Sequence, residues 1–315
     1  MPASNTLLRI FGSPIAALDA LGGTVLDTGQ AGLAADILDR NYFSNYAAAG
    51  VSDFYIRNFP QFDNFLYGSS SSKSWYNALQ LGIRKSSRSY NFRAYYTWSK
   101  SLDTISADGS SFVSPADSLN PEQNKAPSDF DRTHVFNLAF SYALPFGRTR
   151  SADSDTPKWI GAAFGGWNVG LLWIRESGQR FSVNSGLQNQ YAGVTGLADF
   201  SGDRSMGQIY HNNGIVYWFD TAQARLFTYP GPGEASNSGR NSFTGPGFEN
   251  LDLLLYKRFF IRESKSLQFR IEAFNVLNST NFSVPDTNLY SPTFGTVVST
   301  QGNPRRLQVA LRFQF

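Results

Sequence analysis

The chain has 315 residues, enough for one large β domain or two modest ones. Aromatic residues make up 15% and charged residues only 16%, against roughly 25% charged in soluble domains; good helix formers such as Lys, Glu and Met are sparse. The net charge of +3 is scattered without a run or stripe, which argues against a nucleic-acid surface, and the absence of Cys excludes a disulfide framework or a Cys-based metal site.

No stretch approaches the ~20 apolar residues of a spanning helix. The opening residues Met1 to Ile10 have no basic segment followed by an apolar core, so they do not read as an export signal. Residues 1–53 read as an irregular N-terminal connection, with room for a short helix in the Ala-, Gly- and Leu-rich stretch Ala16 to Leu38. Eight strands are expected after it, at 54–67, 75–86, 90–102, 133–146, 166–184, 248–261, 267–281 and 307–315. Most reach the ~9–11 residues that cross a bilayer when tilted, against a usual mode of ~5–6.

Alternation along these strands separates two faces, because successive side chains point to opposite sides. Phe92, Ala94, Tyr96 and Trp98 alternate with Arg93, Tyr95, Thr97 and Ser99. Leu267, Phe269, Ile271 and Ala273 oppose Gln268, Arg270 and Glu272, and Leu307, Val309, Leu311, Phe313 and Phe315 oppose Gln308, Ala310, Arg312 and Gln314. A soluble sandwich strand would alternate in the same way. The connections discriminate better. Residues 87–89 and 262–266 are short and 147–165 moderate, whereas 103–132, 185–247 and 282–306 are long; only the first link, Gly68 to Ser74, is short on the long-loop rim. Short turns on one rim and long loops on the other are the pattern of an outer-membrane barrel.

In that arrangement the polar residues Arg93, Gln268, Arg270, Glu272, Gln308 and Arg312 line the lumen and are candidates to meet a plug or a passing ligand. Tyr96, Trp98, Phe146, Phe259 and Phe260, near strand ends, are candidates for the aromatic girdles at the two membrane interfaces. Catalysis is not expected. The only histidines, His134 and His211, sit at a strand start and in a long loop, and neither has a triad signature. Asp103, Asp108, Asp199 and Asp203 do not follow calcium-loop spacing, so neither a metal nor a cofactor is expected.

Five segments, in order, resemble Oar-like TonB-dependent receptors. They are Tyr95-Tyr96-Thr97-Trp98-Ser99-Lys100-Ser101-Leu102-Asp103; Ser128 to His134 with Leu144-Pro145-Phe146-Gly147; Asn237 to Asn241 with Gly245-Pro246-Gly247; Phe269 to Asn278 with Thr280-Asn281-Phe282; and Gly302 to Gln308 leading to the terminal Phe. Each is short, and their common order carries the resemblance over roughly residues 54–315. It implies the C-terminal part of a receptor whose complete form has a 22-stranded barrel, a plug and a TonB-contacting segment.

The expectation is an all-β, antiparallel transmembrane β-barrel in the cell outer membrane, partial, with about eight meandering strands, short periplasmic turns and long extracellular loops. Residues 54–315 form the C-terminal barrel segment. Expected partners are outer-membrane lipid, the barrel-assembly machinery acting through Leu311, Phe313 and Phe315, an unidentified small ligand and, in the full-length protein, the plug and TonB; nucleic acid is not among them. The alternatives are a self-contained small outer-membrane barrel with a structural or adhesive role, and a soluble β-sandwich that binds a ligand.

Overall fold

The computed structural model describes residues 3–55, 61–62, 70–106, 121–145, 163–188, 196–262 and 265–315. Five short helices open the chain: α1 (Ala3–Phe11), α2 (Pro14–Leu21), α3 (Gly23–Asp27), α4 (Ala31–Asn41) and α5 (Phe43–Ala48). Local chemistry sets their ends. Ser13 caps α2 by accepting the Ala16 amide, Pro14 occupies the first turn, and Gly22 stops the helix at φ 73°. Tyr46 is fully buried among them, its hydroxyl 3.3 Å from Asp39. The single short helix expected within 16–38 is thus one part of a small helical unit.

Among the described residues seven long strands follow: β1 (Ser74–Ser86), β2 (Tyr90–Asp103), β3 (His134–Ala143), β4 (Trp167–Glu176), β5 (Phe248–Arg262), β6 (Lys265–Phe274) and β7 (Arg306–Gln314). They pair in chain order as one antiparallel meander, with the two-residue strand Ala126–Pro127 added beside the outer end of β2. Among the described residues β1 and β7 do not pair with each other and each has one strand neighbour, so both are edge strands there. The strand expected at 54–67 falls mostly outside the described residues, and Phe54 and Tyr55 lie in a turn.

Two expected strands end early for identifiable reasons. The strand from residue 166 stops at Glu176, because at Gly178 a Cβ would stand 1.7 Å from the Gly245 carbonyl oxygen. That close approach of two backbones interrupts the ladder, which resumes in the same register where Arg180 and Phe181 pair with Thr244 and Phe243. The strand from residue 265 stops at Phe274, because Asn275 and Asn278 adopt left-handed φ values of 48° and 53°. The Asn275 amide group donates to the Ser279 and Asn303 carbonyls and closes the turn.

The strand ends joined by the links β1–β2, β3–β4 and β5–β6 lie on one rim, and those joined by β2–β3, β4–β5 and β6–β7 on the other. The long ones build a folded cap. Phe181, Phe200, Phe219, Phe227 and Phe243 pack ring to ring in its centre, with centroids 4.7 Å apart for Phe200–Phe227 and 5.0 Å for Phe200–Phe243. Val183, Ala198, Trp218 and Val297 complete this core. Each buried Phe contributes about 1.5–3 kcal/mol, with about 0.5–1.5 kcal/mol more per well-placed aromatic pair. The scaffold consists of two-residue strand pairs and the hairpin Tyr210–Asn212/Ile215–Tyr217. Asn213 and Gly214, both at positive φ, make its two-residue turn.

Candidate functional site

Strand register assigns every side chain of the sheet to one of two faces. On one face Trp98, Tyr96, Phe136, Leu138, Leu171 and Leu253 run from strand to strand, and on the edges Leu79, Leu81, Ile83, Leu307, Val309 and Leu311 stand at least half exposed. The opposite face carries Arg84, Arg93, Asn137, Ser141, Gly170 and Arg270, a mixture of charges and small residues.

The cap folds over the polar face. At the outer end of β2 the residues on that face, Ser99, Ser101 and Asp103, are buried, whereas Trp98 on the other face is 56% exposed. Arg240 crosses from the cap to pair with Asp103 and also donates to the Asp103 carbonyl, Ser106 and Asp129. Arg180 makes a second crossing to the buried Asp131 at 3.3 Å and to Thr244 at 2.8 Å. Asp131 in turn accepts the Ser101 amide at 2.7 Å. The outer end of one face is therefore roofed by a folded, polar-anchored cap, while the other face is largely apolar, with the buried Lys257 between Trp167 and Phe269 as an exception.

Residues 21–308 match the family model of the outer membrane beta barrel domain. The chain belongs to that family. No curated protein and no solved structure matches it. The sheet of this outer-membrane β-barrel chain lies in the cell outer membrane. In barrels of this class an apolar sheet face meets lipid, a polar face lines the lumen, and the rim with short connections is periplasmic; lipid face, lumen side and outer rim are used below in that sense.

Five of the six proposed lumen residues form one patch on β6 and β7. Gln308 stands directly across from Glu272, and Arg312 across from Gln268. Arg270 donates to Glu272 at 2.6 Å, and its Nε is buried without a hydrogen-bond partner among the described residues. Arg93 is apart from them, on β2 across from Arg84 and Ala139.

Tyr96 and Trp98 lie on the lipid face toward the outer rim, and Phe259 on the same face toward the periplasmic rim, across from Leu267. Phe260 is paired with Ser266 and so shares the lumen-side parity, 77% exposed at the strand tip. Phe146 lies outside the described residues. Leu311 and Phe313 are exposed on the lipid face of β7, and Phe315 follows the strand end.

The structure also gathers residues that sequence reading left in loops. His211 belongs to the ordered cap hairpin, its ring 6.4 Å from Phe282. Asp199 accepts the Asn237 amide at 2.8 Å, Asp203 binds Ser205, and Asp103 is held by Arg240, so these carboxylates have structural partners; Asp108 lies outside the described residues. The helical unit docks on the cap, where the Gly32 amide donates to the Gln188 carbonyl at 3.0 Å. At this junction Asp27 and Gly29 face Tyr229, Pro232 and Tyr290 across a cleft of about 380 Å³. Burial pushes the Tyr229 phenol up, and the nearby Tyr290 adds to the effect. The run Tyr229-Pro230-Gly231-Pro232 is the one local signal in the sequence, marking a rigid turn that presents an aromatic ring.

Proposed function

We propose that this chain forms the C-terminal arc of the barrel of a TonB-dependent outer-membrane receptor of the Oar-like kind, serving ligand uptake rather than catalysis. The observation that carries the proposal is the open sheet. In lipid an unpaired strand edge leaves backbone groups without partners, at several kcal/mol for each unsatisfied group. Among the described residues both β1 and β7 present such edges, and further strands of a larger barrel satisfy them. A self-contained small barrel requires β7 to pair with β1 or with the strand expected at 54–67, and among the described residues β7 pairs only with β6.

The remaining features support the same reading. The patch of Gln268, Arg270, Glu272, Gln308 and Arg312 faces the lumen, where a plug or a ligand passes. The cap offers the cleft between Tyr229 and Tyr290 for a first encounter with an unidentified small ligand. Leu311, Phe313 and Phe315 end the last strand in the alternation that serves as the address for barrel assembly.

The test is the intact mass and N-terminal sequence of the native product purified from outer membranes, together with ligand uptake in cells with and without TonB. A species well above 34.9 kDa that begins with a plug, and uptake that requires TonB, are the expected results. A membrane-embedded species consisting of this chain alone, closed on itself, would defeat the proposal.

A further inference from the structure

The apolar lipid face ends sharply at the outer rim of β4. Trp167, Val169, Leu171 and Trp173 occupy that face in turn, and the next residue on it is Arg175. Its cross-strand neighbours are Phe136 on β3 and Glu249 on β5. At ~3.3 Å per residue Arg175 lies about 26 Å along the strand from Trp167, or roughly 20 Å across the membrane for a strand tilted ~40°. That places it at the far border of an apolar band roughly 25 Å tall, where outer-leaflet headgroups begin.

Arg175 is exposed and makes no ion pair or hydrogen bond among the described residues. Two carboxylates line a cleft with it, and each has a partner other than Arg175. Glu176 pairs with Arg132 at 3.4 Å, and Glu249 accepts the Trp173 indole N–H at 3.0 Å. The cleft, of about 590 Å³, opens next to the guanidinium, with Tyr96 and His134 on one side and Ser279 and Thr280 on the other. His134 Nδ1 and the Tyr96 hydroxyl are 2.8 Å apart, which fixes the imidazole against the wall of the cleft. An uncommitted guanidinium, two hydroxyl side chains and a pocket within the ~300–1,000 Å³ range of ligand sites occur together, on the surface that faces lipid.

We propose that this cleft seats the phosphorylated headgroup of an outer-leaflet lipid, with Arg175 as the phosphate ligand. The guanidinium fork matches a phosphate in a bidentate, charge-assisted pair. Phe136 and Tyr96 lie beside the upper ends of the acyl chains. The inference rests on the outer-membrane placement of the chain and not on its transport role.

The test is native mass spectrometry of the full-length product after reconstitution in vesicles that contain a phosphorylated outer-leaflet glycolipid, or the same lipid after phosphatase treatment. Wild type is expected to retain the phosphorylated lipid. Arg175→Gln is expected to retain about tenfold less, the loss of one charged hydrogen-bonded contact, and Arg175→Lys an intermediate amount. Arg88→Gln, in the periplasmic turn, is expected to behave as wild type, and heat-modifiable gel mobility reports that each variant is folded. Equal retention by folded Arg175→Gln, equal retention of the dephosphorylated lipid, or full displacement by millimolar inorganic phosphate would each overturn the proposal, the last by making the cleft a free-anion site.

Discussion

Arg240, in the last quarter of the chain, is ion-paired with Asp103 at the outer end of β2. The contact joins cap to sheet, and the partner carboxylate is almost wholly buried. Removing one member of such a pair leaves the other charge uncompensated, at about 3–5 kcal/mol. Arg240→Ala is therefore expected to loosen the cap while leaving the sheet intact. Hydrogen exchange at the Ser101 and Ser128 amides should accelerate, with unchanged exchange in the middle of β5 and β6. Arg240→Lys should rescue little, because a single ammonium cannot reach Asp103, Ser106 and Asp129 together. Unaltered exchange at Ser101 in the Ala variant would mean that the pair does not hold the cap.

Phe243 is the centre of the cap core, fully buried and in ring contact with Phe181, Phe200, Phe219 and Phe227. Phe243→Ala is expected to cost about 3–5 kcal/mol by the cavity it leaves. The readout is protease sensitivity of residues 177–247 on intact cells. Cleavage should rise strongly while the barrel keeps its heat-modifiable mobility. Loss of the barrel itself would show that cap and sheet fold as one cooperative unit.

The sheet was readable from the sequence because lipid imposes a strict period of two over long strands. Phe92 to Trp98 and Leu307 to Phe313 show that period directly, and the alternation of short and long connections gave the rims. The cap was not readable. Its core residues Phe181, Phe200, Phe219, Phe227 and Phe243 lie far apart in sequence, each on a strand of two residues or on none, so no window contains a period. Asn275 and Asn278 lay inside an expected strand because their role is a backbone conformation, which alternation does not report. Of the lumen residues, the cross-strand grouping of Glu272 with Gln308 and of Gln268 with Arg312 needed register, and register comes only with the paired structure.

Leu171 and Leu172 are chain neighbours on opposite faces of β4, the first paired with Phe140 and Leu253 on the lipid face, the second with Ala139 and Asp252 on the lumen side. A charge near the bilayer midplane costs about 2–4 kcal/mol on the lipid face, and lumen positions tolerate charge. Leu171→Arg is therefore expected to reduce the folded fraction in urea titrations from lipid vesicles, and Leu172→Arg to leave it nearly unchanged. The reverse ranking would exchange the two faces and overturn the lumen assignment.

Acid should act on the cap through Asp286. Burial alone pushes its carboxyl up, but hydrogen bonds from Ser291, the Asn288 amide and Thr293 outweigh that and hold it below the ordinary carboxylate value. The Thr293 hydroxyl donates at 2.7 Å and the Asn288 amide at 3.0 Å, and the same turn carries Gly295, whose carbonyl accepts the Trp218 amide. A group with a depressed folded value stabilises fully above its unfolded pKa, about 3.9, and that contribution is lost as pH falls through the folded value. Trp218 fluorescence should therefore hold steady down to about pH 4 and change below it. Asp286→Asn should lower cap stability at pH 7 and flatten the difference between wild type and variant at the acid end, because the protonated carboxyl and the amide are then equivalent in charge. Other carboxylates contribute equally to both proteins, so the difference isolates Asp286. A wild-type and variant pair with the same gap in urea midpoint at pH 7 and at pH 2 would show that this carboxylate contributes nothing through its charge.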